Sequence, residues 1–387
     1  MTSLRIKNKG IDIMKSKIIE LEEKNRCRTY QTEYLSKDKT LMTKGLAILC
    51  MVILHLFCRK GNEVYGTPLL WLTSGVPVVY ILGFLAEICV PLYSMCSGYA
   101  HYAIGENNRL GFKNNLKRIF RFLLNYWIVV ILFSLLGLLV RTPDIPVSIS
   151  DFLQNLFMLS TSYNGAWWYA ATYVLLCLCS GVIYTVVKRV HWIFMFLIAS
   201  LQYGVMYVCD ALDLIPKAGN TVINFALRQF DNFFGDVLLC YILGMLMVKL
   251  DVFGKINYFL QTHVSIKRQT FMGFKILLLI CVSAVVFIFE KAIIMPYYAV
   301  FIFILFNSSN LKGKVKACFI FLGHHSTNIW LTHMFFYLCM FQGLVISARY
   351  PVFIFAYMVI LCVAVSFVIN FIYEKAKSWV KLSGLCE

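Results

Sequence analysis

Three groups of residues have the types and spacing to do chemistry. Lys44 and His55 stand with ten residues between them inside one apolar run, KGLAILCMVILHLF. At 1.5 Å of rise per residue a helix sets them about 16 Å apart. A helix crossing a bilayer would then carry a cation at its entry and an imidazole near mid-depth. Glu87 lies in the next apolar run, about 11 residues in from the opposite side and at a similar depth. A histidine and a carboxylate at one level can act as general base and orienting partner. Glu87, Pro91, Ser94 and Gly98 follow i, i+4, i+7, i+11 spacing. That spacing makes one helical face polar or small and predicts a cavity shared with the first helix. His333 is a third ionisable side chain deep in an apolar run.

Ionisable groups inside a span are costly and face a cavity or a partner. Each also has a plainer reading. A membrane histidine can cap a neighbouring carbonyl, and His333 fits that structural role as well as a catalytic one. His101, His191, His263, His324 and His325 lie near the inner ends of runs and read as interfacial. Trp167 and Trp168 open the fourth run and fit an aromatic belt.

The link after the second run, SGYAHYAIGENNRLGFKNNLKRIFRF, is basic. Lys113 and Lys117 flank Arg118 and Arg121, which share a helical face at i, i+3. Charges that stop translocation explain such a link. Guanidinium forks also match phosphate oxygens, and a coenzyme A thioester would need that grip. No glycine-rich phosphate loop accompanies them, so the chain gives no support to ATP-driven chemistry.

The elements that must position these residues follow from composition. Of 387 residues, 60% are hydrophobic and 14% charged, with a mean hydropathy of +0.74. Soluble domains carry roughly 45–50% apolar and about 25% charged residues, so a soluble protein is excluded. Ten apolar runs are long enough to be membrane segments, near 44–58, 76–101, 118–140, 166–187, 191–209, 231–249, 271–289, 293–306, 318–346 and 351–373. The first and eighth are short and call for shielding by neighbours. Spans must satisfy their backbone internally, so an all-α polytopic bundle is expected. The net charge of +17 is distributed by side: 29 of the 36 Lys and Arg fall at the termini and in alternate links, seven in the others. This asymmetry predicts cytoplasmic termini and an even span count, and it leaves no basic stripe suited to nucleic acid. The 14 cysteines sit mostly within apolar runs and show no zinc or disulfide spacing. No metal site is expected. Residues 1–41 read as a polar cytoplasmic segment without chemistry, 42–374 as one membrane domain and 375–387 as a cytoplasmic tail.

The first span resembles the opening helix of the membrane acyltransferase 3 family, whose element is a basic residue, ten residues, then histidine. Lys44 stands where that family usually has arginine, which keeps the charge but not the bidentate fork. PLYSMCSGY is similar to the family's proline-to-SGY segment and covers Pro91, Ser97, Gly98 and Tyr99. Arg118 and Arg121 match its arginine-x-x-arginine element. WWYAATYVLL resembles its fourth span, and HHSTNIWLTHMFF its late serine-to-histidine segment, with Ser326 and His333. The resemblance covers most of the membrane core and leads to the expectation of a stand-alone version, without the family's extra-membrane SGNH domain.

The resemblance implies transfer of an acyl group, usually acetyl, from cytoplasmic acyl-CoA (acetyl-CoA) to a hydroxyl of a sugar or cell-surface glycan, in a multi-pass plasma-membrane protein. Lys44, Ser97, Arg118 and Arg121 would bind the donor, His55 and Glu87 would catalyse, and Tyr99, Ser326 and His333 would line the cavity. A transporter or flippase for a glycan or small anion is the competing reading. It fits ten spans and a polar cavity, but the chain lacks the paired half-chain symmetry common in transporters.

Overall fold

The computed structural model describes residues 35–58, 66–73, 75–142, 145–214, 221–263 and 268–382. Most of the polar N-terminal segment, residues 1–34, lies outside them, as does the side chain of His263. Helices carry nearly everything. In order they are α1 (Lys37–Phe57), α2 (Val78–Leu85) leading through a 3₁₀ turn (Ala86–Ile88) into α3 (Cys89–Glu106), α4 (Phe112–Val140), short α5 (Ile149–Leu156), α6 (Trp168–Arg189) and α7 (Trp192–Ala211). Then α8 (Thr221–Asn232) passes through a π turn (Phe233–Val237) into α9 (Leu238–Lys249), followed by α10 (Val252–His263), α11 (Arg268–Phe289) and α12 (Met295–Asn307). Last come α13 (Gly313–Met334) with its π turn (Phe335–Cys339), short α14 (Gln342–Ile346) and α15 (Pro351–Leu382). A small antiparallel hairpin, Trp71–Thr73 with Val76–Pro77, precedes α2.

Among the described residues eight helical segments are long and apolar enough to cross a membrane. Two further helices occupy the remaining expected runs. Ala292–Asn307 is shorter, and α13 is long but carries His324, His325, Ser326, Thr327, Asn328, Thr332 and His333. Most of these polar residues are buried, His333 and Thr332 completely, so α13 turns its polar side into the bundle rather than toward lipid. The chain is thus an all-α polytopic bundle.

Boundaries shift where polar residues extend a helix. The first span is not short: it begins at Lys37, seven residues before Lys44, and runs for 21 residues. Lys44 therefore sits about two turns inside the helix, and His55 stands in its last turn. At the other end α15 continues to Leu382, through much of the expected tail.

Two close helix crossings hold the core, and both depend on glycine. A Cβ at Gly323 of α13 would collide with the Leu41 carbonyl of α1, and one at Gly98 of α3 with the Tyr241 carbonyl of α9. Small residues let backbones approach, which supplies packing that lipid cannot supply by hydrophobicity. Lysines close helix ends. Lys249 Nζ donates to the carbonyls of Val187 (2.7 Å), in the last turn of α6, and Val190 (2.5 Å), just past its end. Lys39 and Lys275 do the same for α12, at the Asn307, Ser309 and Ser308 carbonyls. Terminal carbonyls lack intrahelical donors and sit at the negative end of the helix dipole. Part of the inner-side charge is therefore structural.

Candidate active site

The close α1–α13 crossing runs parallel, since Gly45 meets Phe319 while His55 further along meets His333. The two imidazole rings have centroids 4.8 Å apart and planes tilted by 43°. Tyr337, in the π turn after α13, stacks on His333 at 6.2 Å and stands 6.3 Å from His55. His333 Nδ1 lies 2.8 Å from the Trp330 carbonyl and 3.2 Å from that of Ile329. A carbonyl can only accept, so Nδ1 bears the proton and Nε2 carries the lone pair. That Nε2 is buried and has no hydrogen-bond partner among the described residues.

Below the pair, toward the start of α1 and α13, lies a cavity of about 400 Å³. Lys44, Ser97, Arg118 and Arg121 all line it, together with Met51 and Trp330. Met51 is one turn before His55 and Trp330 one turn before His333, so the cavity reaches to within a turn of the pair. Arg118 is half-buried; its Nη1 donates to Asn115 Oδ1 at 2.5 Å, and Asn115 Nδ2 donates to Ser180 Oγ at 2.8 Å. Arg121 is exposed at the rim. Three cations line one cavity, one of them fixed through a buried amide, and guanidinium and ammonium groups so placed can attract an anion such as a phosphate.

The cavity also holds residues that the sequence reading missed: Tyr93, Phe122, Asn125, Tyr169, Tyr173, His324, Thr327, Asn328, Asn370 and Tyr373. A signal existed for Asn125, which continues the Arg118, Arg121 face at i+7 and i+4. Nothing in the chain announced Asn370 on α15.

Glu87 is elsewhere. It lines a second cavity of about 250 Å³ with Asp210, Asp231, Asp236, Trp168 and Tyr203. The ring that stands beside His55 is His333. Spacing at i, i+4, i+7 holds one face only in a continuous α-helix, whereas Glu87 falls in the 3₁₀ turn, whose three residues per turn re-aim the side chain. The face that it predicted packs rather than lining a shared cavity. Ser94 meets the Tyr169 hydroxyl at 3.3 Å, and Gly98 abuts the α9 backbone. Tyr93 and Ser97, one turn apart, face the cavity instead.

Other expectations are corrected by burial. Tyr99 packs on Phe253 in a separate apolar cluster, centroids 6.3 Å apart, and does not line the basic cavity. Ser326 is buried and donates back to the Gly323 carbonyl at 2.8 Å, while its neighbours His324 and Thr327 face the cavity. His101 is buried with Nδ1 2.7 Å from the Tyr241 hydroxyl, and His325 is buried with Nδ1 2.8 Å from Ser366 Oγ, so neither is interfacial. Trp167 is no belt residue: it is 1% exposed and its indole donates to the Leu331 carbonyl at 3.0 Å. His191 does cap α7, accepting from the Ile193 amide at 3.4 Å.

A bundle of this kind, with a basic cavity reaching toward two facing imidazoles, is a polytopic membrane protein with a polar cleft among its helices. A family model described as an acyltransferase domain matches residues 42–371. The chain belongs to that acyltransferase 3 family and is a multi-pass membrane acyltransferase. No curated protein and no solved structure matches it.

Proposed function

We propose that the protein moves an acetyl group from cytoplasmic acetyl-CoA to a hydroxyl of a sugar or cell-surface glycan at the plasma membrane. One observation carries this reading: Lys44, Ser97, Arg118 and Arg121, from three different helices, line a single cavity that ends a turn short of the His55–His333 pair. The cations would hold the donor phosphates at the inner face, and the thioester would reach the rings.

The acceptor oxygen attacks the thioester carbonyl carbon and the carbon–sulfur bond breaks. The hydroxyl proton passes to an imidazole and from there to the departing thiolate sulfur, so coenzyme A leaves as the thiol. His55 is the base in this scheme. His333 supplies a second ring with a fixed tautomer, its Nε2 lone pair facing away from the carbonyls that hold Nδ1. Positioned proton transfer of this kind accelerates reactions roughly 10²–10⁴-fold.

Purified protein incubated with radiolabelled acetyl-CoA and sugar acceptors tests the proposal. Label transferred by wild type and lost in His55→Ala supports it. A folded wild type that binds no acyl-CoA of any chain length overturns the donor assignment.

A further inference from the structure

Two unlike groups of side chains line the donor cavity. The first is aromatic: Phe122 lies parallel to Trp330, centroids 6.0 Å apart, and Tyr169 meets Trp330 edge-on at 5.7 Å. The second is a row of amides. Asn125 Nδ2 donates to Asn328 Oδ1 at 2.7 Å, and Asn328 Nδ2 donates to Asn370 Oδ1 at 2.8 Å and to Ser366 Oγ at 2.9 Å. Asn328 is 3% exposed and wholly engaged in this row. Asn125 and Asn370 are half-buried and line the cavity.

The row has a direction, because each link donates from Asn125 toward Asn370. It therefore ends on the Asn125 carbonyl oxygen, an acceptor, and on the Asn370 amide nitrogen, a donor. Neither atom has a protein hydrogen bond among the described residues. Interhelical glue accounts for Asn328, but not for two unspent ends of opposite polarity facing a cavity. A secondary amide offers one N–H and one C=O and complements such ends.

Position along the helices fits the same ligand. Contacts pair Asn125 with Asn328 and Phe133 with Phe335, so α4 and α13 run parallel. Asn125 lies four residues beyond Arg121, about 6 Å of rise, and His333 five beyond Asn328, about 7.5 Å. The amide row thus stands midway between the cations and the imidazoles. The whole path is about 14 Å, which matches an arm as long as about four extended residues at ~3.5 Å each. A pantetheine arm has that length, with two secondary amides between its phosphate and its sulfur.

We propose that Asn125 and Asn370 bind the amides of the donor's pantetheine arm, with the aromatic side chains packing its apolar carbons. This rests on the acyl-CoA reading above. The two residues set how far the thioester rises toward the histidines.

Calorimetric titration of the full chain in nanodiscs compares coenzyme A with its nucleotide half, phosphoadenosine diphosphate, which lacks the arm. Wild type is expected to bind coenzyme A the more tightly. Asn125→Ala and Asn370→Ala should each cut that advantage about five- to tenfold, the weight of one hydrogen bond, and leave affinity for the nucleotide half unchanged. Arg118→Ala should weaken both ligands together. If Asn125→Ala does not fold, Asn370→Ala at the free end of the row carries the test alone. Full retention of the advantage in the asparagine variants, or equal wild-type affinity for the two ligands, overturns the amide assignment. Binding of neither ligand overturns the coenzyme A reading itself.

Discussion

His55 and His333 face each other with ring centroids 4.8 Å apart, one from the first helix and one from the thirteenth. Their surroundings differ. Two carbonyls of its own helix engage His333 Nδ1, which leaves its Nε2 lone pair buried without a protein partner. Buried polar atoms are rarely left so, which makes His333 Nε2 the atom of this pair to test.

Replacing either ring should therefore remove turnover while leaving the fold. We expect His55→Ala and His333→Ala each to lower kcat by roughly 10²–10⁴-fold. The double variant should be little worse than the poorer single one, since groups acting as a unit are not additive. Initial rates on folded protein, normalised by size-exclusion profile, check this. Additive losses would separate the two rings mechanistically.

The cavity mouth should govern donor binding rather than turnover. Arg118→Ala and Arg121→Ala should each raise KM for the donor about 10–100-fold, because a hydrogen bond to a charged group is worth about 1.5–3 kcal/mol. A kcat falling as far as KM rises would place the arginines nearer the chemistry.

Gly98 is where α3 touches the α9 backbone. Gly98→Leu should destabilise by at least the 1–3 kcal/mol typical of overpacking, read as a lower melting temperature or loss of the monodisperse peak. Gly181→Ala is the control, since nothing lies within 4 Å of the added methyl. Equal behaviour of the two would contradict the described crossing.

Lys249 ties α9 to the end of α6 through the Val187 and Val190 carbonyls. Lys249→Met should lower stability by about 1–3 kcal/mol and leave turnover per folded molecule at the wild-type rate. Thermal melts beside activity assays distinguish this from a catalytic effect.

Charge asymmetry sets the orientation. A fluorescent-protein fusion placed after Lys312 should fluoresce and a phosphatase fusion there should be inactive, with the reverse at Asp213. Matching signals at both sites would rule out the predicted topology.

The bundle was legible in the chain because ten apolar runs and a lopsided charge distribution each report on the bilayer, whatever packs against what. The cations of the cavity were legible too, since Arg118 and Arg121 lie on one helical face and Lys44 on the first span. What could not be read was partnership across the chain. Glu87 was matched to His55 by depth alone, and one 3₁₀ turn sufficed to send it to another cavity. Burial was equally hidden for Trp167 and His101, whose types suit a membrane interface but whose hydrogen bonds lie in the core. Asn370 reaches the cavity only through the packing of α15, which no local pattern announces.

The seam between α1 and α13 also carries a timing. His55 leaves the ribosome early, whereas His333 and the glycine against which Leu41 packs are made near the end of the chain. At about 5–20 residues per second the interval is roughly 15–60 s. Throughout it the first helix waits in the bilayer without its lasting neighbour. The seam that sets the two rings side by side thus closes only once synthesis is nearly finished, and a chain ending before α13 lacks one of its two faces.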